Sequence, residues 1–138
     1  MIGPLHPDEV EAVLHRQHVR RLACLADGRP YVVPITYAYA GGDVYGHALP
    51  GRKLAALRAD PYVCFEVDRH DDPTHWCSVV ADGRYEEVTE PAERGAALRL
   101  LAATEPAVVS AADDAPGVVF RLRLTAKTGR FVGRVGWD

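Results

Sequence analysis

The densest group of chemistry-bearing residues is the heptapeptide His47-Ala48-Leu49-Pro50-Gly51-Arg52-Lys53, which joins an apolar, alternating segment to a short helical one. A glycine where a strand passes into a helix lets backbone N–H groups approach an anion closely, and the helix start adds partial positive charge. Arg52 and Lys53 add full charges, the first as a planar fork and the second as a point charge. Together these parts make a phosphate cradle. The same residues also compose an ordinary solvated basic turn, and spacing alone does not choose between the two. They do not make a Walker loop, because both the GxxxxGK[ST] spacing and the magnesium-binding hydroxyl are missing.

Other reactive groups are sparser. His70, His75 and Cys77 lie within eight residues and are types that zinc accepts, but no second close pair completes four-coordination, so no metal site is expected. Cys24, Cys64 and Cys77 are odd in number, lack CxxC spacing and sit inside apolar runs, which reads as buried, reduced thiols. A nucleophilic cysteine needs a poised base, and neither Cys24 nor Cys64 carries that signature.

The elements that must position these groups are mostly strands. Pro7 and Asp8 open a helix with Val10, Val13, Leu14 and Gln17 on one face, acids early and His15, Arg16 and His18 late. RLACLA, YVVPITYAYA and DVYGHAL follow as three antiparallel strands separated by an Asp27-Gly28-Arg29-Pro30 turn and by Gly41-Gly42. Pro34 falls inside the second of them, where a missing N–H breaks the ladder unless it lies at an edge or bulge. A short helix spans Lys53 to Arg58 and stops at Asp60-Pro61. YVCFEVD is a fourth strand, 70–75 a polar loop, and WCSVVADGRYEEV a fifth strand with Gly83 marking a bulge. A helix begins at Pro91, residues 104–116 have no clear assignment, and VVFRLRLTAKTGRFVG is the sixth strand. Six strands with few helices predict a mainly β, or β-rich α+β, antiparallel barrel whose open ends are covered by helices.

Composition narrows the function. The 138 residues accommodate one domain, 1–138, and 48% apolar with 25% charged residues is the make-up of a folded globular chain. The net charge of −3, without a basic run, argues against a nucleic-acid partner. No stretch is long and apolar enough for a spanning helix, and the first ten residues do not read as a signal peptide, so a cytoplasmic location is expected.

Three segments, RLACLADGRPYVVPITYAY, DVYGHALPGRKLAALRADPYVCFEVD and HWCSVVADGRYEEV, resemble in order and spacing the FMN-binding split barrels of the pyridoxamine 5′-phosphate oxidase superfamily. The resemblance covers about residues 8 to 103 and is strongest to the short, nitroimidazole-reductase-like flavoproteins. It implies a six-stranded antiparallel split barrel with flanking helices, and a homodimer with FMN at the subunit interface. On matching positions it implies that Pro34, Ile35, Thr36 and Tyr37 run beside the isoalloxazine ring, that His47 and Ala48 lie near the ring or ribityl chain, and that Gly51, Arg52 and Lys53 hold the phosphate. Trp76, Ser78 and Val79 would help wall the flavin, from the same or the partner subunit. The implied activity moves electrons from NADH or NADPH to a small organic acceptor. The sequence ends at Asp138 without the basic, aromatic region that closes over substrate in true pyridoxamine phosphate oxidases, so vitamin oxidation is not expected. A deazaflavin- or haem-binding relative, or a flavin-binding module without turnover, are the alternatives.

Overall fold

Strict alternation builds the sheet. In YVCFEVD the odd-numbered Val63, Phe65 and Val67 are buried, and on the neighbouring strand Cys77, Val79 and Ala81 are sealed completely from solvent. Each strand therefore turns one apolar face inward, and the strands must curl around that shared interior to hide it.

The computed structural model describes residues 2–16, 19–104 and 117–133. The elements in chain order are β1 (Ile2–Pro4), α1 (Pro7–His15), β2 (Val19–Ala26), β3 (Arg29–Pro34), β4 (Ala38–Ala40), β5 (Asp43–Ala48), α2 (Arg52–Ala59), β6 (Tyr62–Asp72), β7 (His75–Glu87), α3 (Pro91–Thr104) and β8 (Val118–Val132). The fold is mainly β, a single antiparallel sheet in the order β3-β2-β6-β7-β8-β5-β4, with β1 added beside β8. It is a split barrel, curled but not closed.

Both expected hairpin turns are present. Asp27-Gly28 and Gly41-Gly42 have positive φ at both central residues and join directly paired strands, Ala26 to Arg29 and Ala40 to Asp43, as type I′ turns do. Two expectations need correction, and the expected bulge at Gly83 is present with its extra residue on the partner strand. The run YVVPITYAYA is two strands, because Pro34 ends β3 and β4 begins only at Ala38, giving eight strands with β1 where six were expected. The polar loop at 70–75 is largely strand, with β6 running on to Asp72 and β7 starting at His75. The bulge falls opposite Gly83: Asp82 pairs with Ala126 and Gly83 with Leu124, so Thr125 of β8 is the extra residue. Gln17, His18 and residues 105–116 lie outside the described residues.

The helices close the core. His6 and Glu9 form a capping box at the start of α1, which inserts Val13 and Leu14 fully into the interior. Leu54 and Leu57 of α2 join the same cluster. Ala97 of α3 covers Val88 and Val119 in a smaller cluster outside the barrel.

The opposite face of the central strands carries one ion triad, in which Arg21 donates to Asp68 at 2.6 Å and to Glu66 at 2.9 Å. Burial and the neighbouring Asp68 carboxyl push Glu66 up to about 7, so Glu66 keeps its proton in weakly acidic solution. A carboxyl whose pKa is raised on folding contributes stability below its ordinary range and loses it as pH rises through the raised value. Glu66→Gln keeps the hydrogen bonds without the titration. Its melting temperature relative to the parent should therefore climb between about pH 5 and pH 8 by thermal unfolding, and a pH-independent difference would remove the raised Glu66 carboxyl.

Candidate functional site

The two strands that end the sheet are neighbours in the chain. Only Ile35 to Tyr37 separate β3, at one edge, from β4, at the other. Four peptide steps reach at most about 14 Å, so the edges must approach one another here. This seam is pinned from two sides. Arg20 Nε donates to the Ile35 carbonyl at 2.8 Å, and Tyr37 Oη donates to the Leu14 carbonyl at 2.6 Å and the Arg16 carbonyl at 3.1 Å.

At the seam the β4–β5 ladder opens. Ala38 faces Tyr45, and continuing that register would set Tyr37 opposite Gly46, Thr36 opposite His47 and Ile35 opposite Ala48. Instead the ladder stops, and a cleft of about 430 Å³ separates the two segments. Pro34, Ile35 and Thr36 line one wall, His47, Ala48 and Leu49 the other, with Lys53 at the end. The far edge of β5 is taken up by β8, where His47 pairs with Val119 and Ala48 with Val118. Main-chain groups of β5 on the cleft side have no strand to meet beyond Tyr45 among the described residues. A flat, polar-edged molecule fits such a gap.

The cleft ends on α2. Gly51 is the N-cap and supplies no side-chain hydrogen bond, the first intrahelical bond runs from Ala55 N to the Gly51 carbonyl, and the N–H groups before it lack helical acceptors. Space over Gly51 is open: a methyl group in place of its hydrogen would meet nothing nearer than the Leu49 carbonyl oxygen, at 4.0 Å. Arg52 lies over the Tyr31 ring at 4.4 Å, and Lys53 is half-buried in the cleft. Among the described residues neither cation has a carboxylate partner. Burial pushes the Lys53 ammonium below its ordinary range. His47 is also held low, first by burial and then by the charges of Arg94 and Lys53, and its buried Nε2 has no hydrogen-bond partner among the described residues. That nitrogen presses on Gly117, where any side chain would overlap it. Two uncompensated cations, a neutral imidazole and free helix N–H groups favour an anion at this end.

Of the residues singled out from sequence, Pro34, Ile35, Thr36, His47, Ala48 and Lys53 meet in one cleft, with Gly51 and Arg52 beside it. The Tyr37 side chain turns away, its ring edge-on to Phe65 in the core. Trp76, Ser78 and Val79 are not brought to the cleft within this chain: Trp76 stacks on His70, Ser78 pairs with Asp68 and Arg130, and Val79 is sealed in the core. Cys24 and Cys77 are buried thiols as expected, whereas Cys64 is half-buried on the outer face of β6. His75 is tied to Asp72 at 2.9 Å and does not meet Cys77, which lies in the core. Sequence reasoning missed Arg20 and Tyr31, since only the folded register brings them to the seam and to α2.

Comparison with known proteins gives a consistent picture. A family model described as pyridoxamine 5′-phosphate oxidase matches residues 6–131. The crystal structure of a FAD-binding protein from Mesorhizobium loti is 38% identical, with 96% of this chain and 99% of that one covered and a TM-score of 0.80. An uncharacterised protein of Rhizobium meliloti is 39% identical over 88 residues, a match spanning 64% of this chain and 57% of that protein. The fold alone is shared with a candidate 5-nitroimidazole antibiotic resistance protein from Bacteroides thetaiotaomicron, 17% identical, covering 95% and 87% of the two chains at a TM-score of 0.76.

A half-buried cation without a counter-charge weakens the ligand-free fold. Lys53→Met keeps the aliphatic stem and removes the charge, so the ligand-free variant should gain about 0.5–2 kcal/mol in urea unfolding. A loss of stability would mean that Lys53 has a partner inside the protein.

Proposed function

Because the chain belongs to the pyridoxamine 5′-phosphate oxidase family, we propose that it is a flavin-binding protein whose cofactor is FMN, working as an oxidoreductase. The observation that carries this reading is the opened β4–β5 ladder ending at Lys53 and the uncapped start of α2. A planar ring with donors and acceptors along its edge suits the gap between Pro34 to Thr36 and His47 to Ala48. A phosphate suits the far end, where Arg52, Lys53 and the N–H groups following Gly51 supply charge and donors. When bound, the flavin supplies the redox chemistry, taking hydride from a reduced nicotinamide and passing electrons to a small organic acceptor. The chain's own part is to bind, orient and shield. His47, kept neutral, adds no further charge beside the two cations and leaves the ring environment apolar, with Ile35 and Ala48 as its buried floor.

FAD is the second reading, favoured by the Mesorhizobium loti relative. The cradle would then hold the pyrophosphate. Cofactor mass after denaturing the purified protein separates FMN from FAD, and bleaching of the flavin band by NADH or NADPH tests the reductase activity. Arg52→Ala with Lys53→Ala should weaken FMN by about a hundredfold or more, counting roughly 1.5–3 kcal/mol for each charged hydrogen bond lost, while riboflavin changes little. Equal weakening of both would remove the phosphate role.

The working unit in this reading is a homodimer, with Trp76 and Ser78 reaching the flavin of the second copy. Support comes from the outer face of the sheet, where Val19, Val32 and Val80 are 53%, 60% and 42% exposed beside the Arg21 triad. Cross-strand pairs Ala23 with Val32 and Glu66 with Val80 put these valines on one continuous surface with Pro34. Exposed apolar surface of this kind marks association. Val32→Asp combined with Val80→Asp should yield a folded monomer by sedimentation with flavin affinity reduced at least tenfold; a mutant dimer with full affinity would place the interface elsewhere.

A further inference from the structure

One rung of the β2–β3 ladder lies under both cations. Cys24 and Tyr31 are direct cross-strand partners, and α2 packs on β2 immediately above them. The Arg52 guanidinium carbon sits 4.4 Å from the centre of the Tyr31 ring. Lys53 and Arg52 both act on the buried Cys24 thiol: burial raises it, and the two charges pull it back. The first turn of α2 therefore lays its two charged side chains on either end of a single pair of residues.

The two seats differ in what they leave free. A thiol beside Lys53 neither neutralises it nor takes up its donors strongly. Seating the guanidinium carbon over the Tyr31 ring holds Arg52 without a carboxylate taking up its N–H donors. An ion pair with a carboxylate would have held Arg52 equally well but consumed those donors and cancelled the charge. An aromatic seat thus fixes direction without quenching, and it does so next to a helix start whose N–H groups are also free.

We infer that Tyr31 is a specificity-determining residue, which holds Arg52 in the geometry that makes the cleft select phosphorylated flavin over the unphosphorylated vitamin. The inference rests on the flavin reading given above and deepens it. Tyr31 does not line the cleft, so its influence passes through Arg52, and it is a positioning residue.

The test compares dissociation constants for FMN and for riboflavin, by quenching of flavin fluorescence on the full-length protein stripped of cofactor. Tyr31→Leu should weaken FMN about tenfold, as expected for loss of a partly desolvated cation–π contact of ~1–2 kcal/mol, with riboflavin within twofold of the parent. Tyr31→Phe keeps the ring and should keep the preference. Arg52→Lys keeps the charge but not the plane, and should match Tyr31→Leu; the double variant should be no worse than either single one, because both remove one interaction. Unchanged FMN binding in Tyr31→Leu overturns the inference, as does equal loss of FMN and riboflavin, which is the sign of a structural role. If Arg52→Ala with Lys53→Ala leaves the ratio of the two constants unaltered, the phosphate reading itself fails. If that ratio collapses in the double alanine variant but not in Tyr31→Leu, only the role of Tyr31 fails.

Discussion

The rest of the molecule depends on a three-residue bridge. Ile35, Thr36 and Tyr37 must carry the chain from the first strand of the sheet to the last, which forces an eight-stranded sheet to curl until its edges nearly meet. Pro34 begins the crossing because it cannot donate to a ladder, and the Tyr37 hydroxyl ends it by taking two carbonyls at the end of α1. A bridge that short leaves no room for the segment to pair with β5, so the gap beside His47 and Ala48 follows from topology. The cleft is the remainder of a barrel that does not close.

Different parts of this arrangement were legible in the sequence to different degrees. Period-two alternation and the Asp27-Gly28 and Gly41-Gly42 turns are local signals, and strands with I′ hairpins follow from them directly. Pro34 signalled an interruption, but whether a proline ends a strand or bulges it depends on which strand lies beside it, and that is a long-range fact. For the same reason YVVPITYAYA read as one element when its two halves sit at opposite edges. The heptapeptide at 47–53 was legible because strand, glycine and cations are contiguous. Tyr31 was not: it stands twenty-one residues before Arg52, and only the β2–β3 register and the packing of α2 bring them together.

The anion end of the cleft shows a conflict between folding and binding. A fold optimised for stability alone would pair Lys53 with a carboxylate and cap α2 with Ser or Asp. Here the cap is Gly51, the buried Cys24 thiol is the group that bears on the Lys53 charge, and the Arg52 neighbour is an aromatic ring. Elsewhere the same chain is generous with ion pairs: Arg21 serves two carboxylates, Arg121 and Arg123 share Glu86, and Lys127 meets Glu11. At the cleft, among the described residues, Arg52 and Lys53 are left without a carboxylate, which is the pattern of a site preorganised for a ligand that brings its own negative charge.

That contrast also separates binding from turnover. Groups that would transfer a proton need a pKa near the working pH and a place in the cleft. Glu66 has the first without the second, since it lies on the outer face with Arg21, and His47 has the second but is pushed away from protonation with its Nε2 buried against Gly117. Among the described residues, the walls of the cleft therefore offer main chain, apolar surface and positive charge, and no titrating group poised to act. Redox chemistry by a bound flavin needs no more than this from the protein, whereas hydrolysis or group transfer by side chains would. The described walls of the cleft thus supply binding and charge, which is the part that the proposed flavin would need from the chain.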